Sequence, residues 1–155
     1  MRRPRLFALL FAFLLSFPCC TQAGNDPAPP GLIPITLPRG TIIYAELADT
    51  PQKRAEGLMY REHLGADRGM LFTFLQAQAW TFWMKNTKIP LDIIWMNEKK
   101  QILHMEQNVP ICTRTDDSCP QYRPNNEALY VLELEGGRVE SLKLQQGSKL
   151  QFRLP

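Results

Sequence analysis

Residues Ile89 to Met96 constrain most strongly what this chain can become. The stretch IPLDIIWM is apolar at most positions and lies between two polar turn sets, Asn86-Thr87-Lys88 and Asn97-Glu98-Lys99-Lys100. A short apolar run bounded this way is a strand. Strand alternation puts Ile89, Leu91, Ile93 and Trp95 on one face and Pro90, Asp92, Ile94 and Met96 on the other. The second turn joins the run to Gln101–Asn108 as a hairpin. Thr41–Ala48, Met70–Leu75, Trp80–Lys85, Ala128–Leu134 and Lys149–Leu154 have similar composition and are expected as further strands. Thr50 followed by Pro51 is a helix start, with a short helix through Gln52 to Leu58, and Arg138–Leu144 can form another. These elements predict a mainly β or α+β domain: a small antiparallel sheet or barrel with one or two short peripheral helices.

The N-terminus has a different character. Arg2, Arg3 and Arg5 precede an apolar run from Leu6 to Phe17, too short for the roughly 20 residues that span a bilayer. Thr21-Gln22-Ala23 supplies small residues for a cleavage site. Residues 1–23 are therefore expected to be a signal peptide, leaving no spanning segment in the mature form and placing it outside the cytosol, most naturally in a periplasm. Cys19 or Cys20 offers a lipid-anchored alternative, although bulky Phe17 and rigid Pro18 precede them. Pro27, Pro29, Pro30, Pro34 and Pro38 mark residues 24–40 as an extended linker with little helix or sheet, so 41–155 is expected to be a single β-rich domain.

Removing the leader changes the charge balance. Three of the 18 basic residues lie within it and none of the 15 acidic ones does, which leaves fifteen of each sign. A nucleic-acid partner is not expected, because such binding relies on a basic surface that displaces counterions.

Cys112 and Cys119 form an even pair in a chain bound for an oxidising compartment, which favours a disulfide closing a short polar loop. A catalytic dithiol is the sharper alternative, but six intervening residues are not C-x-x-C spacing. Two histidines, His63 and His104, are few for a zinc site, and no cofactor is expected.

Asp92 is a carboxyl group among apolar neighbours and needs partners if buried. Lys85 and Asn86, across a short turn, are candidates. With Trp83 they outline a polar site that is either a ligand site or a structural anchor. Arg54 and Arg61, with Arg68, can clamp an anion, or can be surface charge balanced by Glu56, Glu62 and Asp67. Met59, Met70, Met84, Met96 and Met105 permit Cu(I) handling, since thioethers suit that ion, but methionine is also an ordinary core filler. The chain has no phosphate-cradling glycine loop, no H-E-x-x-H and no G-x-S-x-G.

The stretches AELADTPQKRAEGLMYREHL, GMLFTF, FWMKNTKIPLDIIWMN and NVPICTRTDDSCPQY, ending in YVLELEGGRVESLKLQQGSKL, resemble the domain of unknown function 192 family from about Thr41 to Phe152. The block from Trp83 to Ile93 is the most specific part. The resemblance implies a small, largely β domain, exported or membrane-associated, and brings no agreed activity.

Three functional expectations follow. The first is a noncatalytic binding or accessory domain of the cell envelope, with a pocket for a small ligand or envelope protein near Lys85, Asn86 and Asp92. The second is an enzyme using Asp92 as general acid or base. The third is a methionine-based Cu(I) carrier.

Overall fold

A computed structural model describes residues 28–155. The expected leader, its Cys19-Cys20 pair and the first four residues of the expected linker lie outside them. Ten elements follow in order: β1 (Leu32–Thr36), β2 (Ile42–Ala48), α1 (Pro51–Glu56), β3 (Arg68–Gln78), β4 (Phe82–Trp83), β5 (Leu91–Met96), β6 (Ile102–Val109), β7 (Gln121–Tyr122), β8 (Ala128–Glu135) and α2 (Arg138–Ser141). Six strands form one sheet in the order β1-β2-β3-β8-β5-β6, and β4 pairs with β7 in a separate two-stranded ribbon. The fold is mainly β with two short helices, as the sequence predicts.

β5 is buried at all six positions because apolar layers cover both faces of the sheet. Leu91, Ile93 and Trp95 join Leu58, Phe72, Met84 and Val131 in one layer. Ile94 and Met96 join Ile35, Ile43, Leu132, Leu150 and Phe152 in the other. The alternation expected for this strand is the one observed.

The structure corrects four expectations. Residues 24–40 are not all linker: β1 lies among them and pairs antiparallel with β2, Ile35 opposite Ile43. Ile33, Ile35 and Leu37 are buried, a period-two signal that the proline density obscures. Pro34 is tolerated because β1 is the edge strand and the missing N–H is not needed there. Second, the sheet is mixed, since β2 and β3 run parallel, with α1 and the following loop as their crossover. Third, Trp80–Lys85 contributes only the two residues of β4. Its aromatics pack as a lid, Trp80 stacked on Phe74 at 3.9 Å and Phe82 edge-on to Phe72 at 4.9 Å.

Fourth, Lys149–Leu154 is no closing strand but a strap. Lys149 bridges to Gln101 beside β6, and Gln151 bridges to Thr36 at the end of β1. Those are the two outer strands of the sheet, so the strap links its opposite edges without closing a barrel. Among the described residues, no helix is long and apolar enough to cross a membrane.

Candidate functional site

Asp92 does not meet Lys85 or Asn86. Its side of β5 faces the start of α2, and it is fully buried. Oδ1 accepts the backbone N–H of Asn108 at 2.7 Å and that of Gly137 at 3.1 Å, while Oδ2 accepts that of Val139 at 2.6 Å. Gly137 cannot cap α2 with a side chain, and Asp92 does so from a distant strand. The Asn108 bond secures a register shift between β5 and β6. Asp92 is thus a structural anchor whose partners are backbone amides.

Asn86 is a clasp. Its backbone φ is +56° and that of Tyr60 is +65°. The two residues hold each other through Tyr60 N–H to Asn86 O at 2.8 Å and Asn86 Nδ2 to Tyr60 Oη at 3.0 Å. Lys85 points another way: its ammonium pairs with Asp117 and lies 5.2 Å from the Trp83 ring centroid.

Asp117 belongs to the loop closed by the Cys112–Cys119 disulfide, whose Cα atoms are 5.8 Å apart. That loop runs into β7, which pairs with β4 through Trp83 opposite Gln121. The disulfide therefore fixes the segment packed beside Trp83 and Lys85.

Trp83 and Lys85 do share a cleft, but with a carboxyl group the sequence reading passed over. Glu133 lies in β8 between Met70 of β3 and Ile93 of β5. It is 4% exposed, and its Oε2 has no hydrogen-bond partner. Burial raises its pKa from the usual 4.5 to about 8, because the charged form loses its hydration there. At neutral pH the group is mostly a neutral acid, able to donate a hydrogen bond.

Glu133 faces a cavity of about 30 Å³ lined by Gly57, Met59, Phe72, Phe82, Trp83, Lys85 and Thr87, among others. That is about the space of one water molecule. Gly57 lets the end of α1 descend over this floor: a Cβ there would lie 3.4 Å from Phe72 Cζ and 3.8 Å from Glu133 Oε2. Arg54 lines the cleft too, its Nη1 tied to Thr73 O at 2.9 Å and its guanidinium over Phe74.

The signal for Glu133 was in the sequence. Leu132-Glu133-Leu134 puts an acid inside a strand that pattern alone identifies, on the same face as Val131. What the pattern could not show is that β8 is a central strand with that face covered.

Arg54 and Arg61 do not converge. Arg61 pairs with Glu46 at 2.8 Å on the other side of α1, and Arg68 lies 3.7 Å from Asp67. The methionines are divided between layers, Met70 and Met84 in one and Met96 in the other. His104 pairs with Glu106 at 3.0 Å, and His63 is exposed. Among the described residues, no three His, Cys, Asp or Glu side chains are placed to hold a metal ion.

Two solved structures share the fold. One is a Sinorhizobium meliloti protein provisionally described as a transcription regulator, 30% identical, with a TM-score of 0.66 over 78% of this chain and 92% of that one. The other is a Novosphingobium aromaticivorans protein of unknown function, also 30% identical, with a TM-score of 0.71 over 83% of this chain and 94% of that one. No curated protein is significantly similar. The model of the domain of unknown function 192 family, described as "Uncharacterized ACR", matches residues 35–152, which include the whole of this site. With the match spanning both layers of the core and most of the strap, the chain belongs to the domain of unknown function 192 family.

Proposed function

We propose that this chain is an exported, noncatalytic binding domain of the cell envelope, and that it recognises a small neutral polar group over Glu133. One observation carries this reading: a buried carboxyl oxygen with no partner at the floor of a cleft rimmed by Trp83, Phe82 and Lys85. A buried polar group left unpaired costs free energy, and a ligand group that accepts a hydrogen bond from the neutral acid recovers it. The cavity admits one hydroxyl-sized group, so the rest of the ligand rests on the aromatic rim. A neutral saccharide has both parts, an apolar ring face for the indole and hydroxyls for the acid. No histidine or free cysteine lines the cleft. Asp92 is not the acid or base of an enzyme in this reading, since backbone N–H groups occupy both of its oxygens.

A general-acid role for Glu133 is a second reading, favoured by its raised pKa. Titration of the protein with neutral oligosaccharides, followed by amide NMR, tests the first. Saturable shifts at Gly57, Trp83 and Glu133 that vanish in Trp83→Ala support it, and their absence across the series removes it. Glu133→Gln still donates a hydrogen bond, so binding survives that change, whereas any proton-transfer activity does not.

A further inference from the structure

A second cleft, independent of Glu133, lies where the C-terminal strap crosses between the sheet edges. It encloses about 510 Å³, and its charged lining residues are Lys100, Lys149 and Arg153, with no carboxylate among them. By contrast, Lys53, Arg61 and Lys88 each have a carboxylate partner, Asp49, Glu46 and Glu62.

The cations are held on a fixed backbone. Leu150 and Phe152 are buried in the core, so extended geometry turns Lys149, Gln151 and Arg153 outward as a row, about 6.8 Å between successive members. The strap is bonded on both sides, Leu150 N–H to Lys100 O at 3.0 Å and Thr36 N–H to Gln151 O at 2.8 Å. Lys100 sits at φ +61° in the β5–β6 turn. Its ammonium donates to Phe152 O at 2.6 Å and stands 4.5 Å from the Phe152 ring centroid. Two of its three hydrogens remain for a ligand.

We propose that this cleft binds a phosphate-class anion, held by Lys100, Lys149 and Arg153 with the Gln151 amide as a neutral donor. Three cations and an amide offer more donors than the two oxygens of one carboxylate accept, and they match the several oxygens of a phosphoryl group. The same chemistry fits a soluble phosphate ester and a phospholipid headgroup.

The test uses the purified full chain at constant ionic strength. Inorganic phosphate, compared with chloride, is expected to give saturable amide shifts confined to Thr36, Lys100 and the strap. The double variant K149Q/R153Q, altered only at exposed side chains, is expected to weaken binding at least tenfold with an unchanged melting temperature. Co-sedimentation with phosphatidylglycerol vesicles but not phosphatidylcholine vesicles, lost in the same variant, assigns the lipid source. Phosphate binding without vesicle binding assigns the soluble one. The proposal is overturned if neither probe produces a response at the strap, if the variant responds like the parent, or if duplex DNA binds more tightly than either.

Discussion

Val139 donates its backbone N–H to Asp92 Oδ2 at 2.6 Å, joining residues 47 positions apart in sequence. Asp92 also takes the amides of Asn108 and Gly137, so one carboxyl group ties β5, β6 and the start of α2 together. Asp92→Ala leaves three backbone donors without their acceptor and is expected to cost at least about 3 kcal/mol. Asp92→Asn keeps one acceptor oxygen but aims an NH2 at an N–H, so it recovers only part of the loss. Urea denaturation of both variants measures this. A cost under about 1 kcal/mol for the alanine variant would contradict the anchor role.

Glu133 makes stability fall as pH rises from about 4.5 to about 8. Between pH 4.5 and about 8 the folded protein keeps a proton that the unfolded chain has released. Its contribution is therefore complete below 4.5, declines by up to about 1.4 kcal/mol per pH unit across that window, and levels off above it. Glu133→Gln does not titrate and is expected to flatten the profile. Parallel denaturation curves from pH 5 to 8.5 isolate the difference, and identical slopes in parent and variant would refute the assignment.

The disulfide supports the rim of the Glu133 cleft. Its loss in Cys112→Ser/Cys119→Ser is expected to cost about 2–3 kcal/mol through the freed loop. The loop also holds Asp117 against Lys85 and leads into β7, so amide hydrogen exchange at Gln121 and Tyr122 is expected to rise with the reduction in stability. Lys85→Ala, which removes an ion pair whose acidic member is mostly exposed, is expected to cost about 1 kcal/mol or less. Unchanged exchange in the double serine variant would separate the disulfide from the rim.

Gly69 lies in β3 opposite Leu134 of β8. A Cβ on it would fall 2.7 Å from the backbone oxygen of Glu133 and 2.8 Å from Leu134 Cδ2. Backbone cannot yield as a flexible side chain can, so Gly69→Ala is expected to destabilise by ~1–3 kcal/mol and to disturb Glu133. A thermal melt indistinguishable from the parent would show that the ladder can open there.

Local pattern revealed the central strands, because Ile93, Ile94 and Trp95 or Val131 and Leu132 can hardly be placed anywhere but inside a sheet. Pairing was less legible. Nothing near Ala45 or Gly69 announces that these residues lie side by side on parallel strands. Pro34 concealed an edge strand, because proline argues against a ladder only where its N–H would be used. Asp92 was recognisable as a buried acid, but its partners are main-chain amides, which every residue except proline carries and no sequence distinguishes. Glu133 needed knowledge of strand order, since the same acid on an outer strand would face water.

Strand order also dictates when this protein can exist. β3 and β5 never pair with each other, because β8, the last strand made, lies between them. Until residue 128 has appeared, the six-stranded sheet consists of two separate parts, β1-β2-β3 and β5-β6, each with one raw apolar margin around Leu71 or Ile93. The late insertion zips both at once, a connection of long sequence separation that is slow to find. A copy cut short before that point lacks the strand that joins its two parts and leaves both of those margins uncovered.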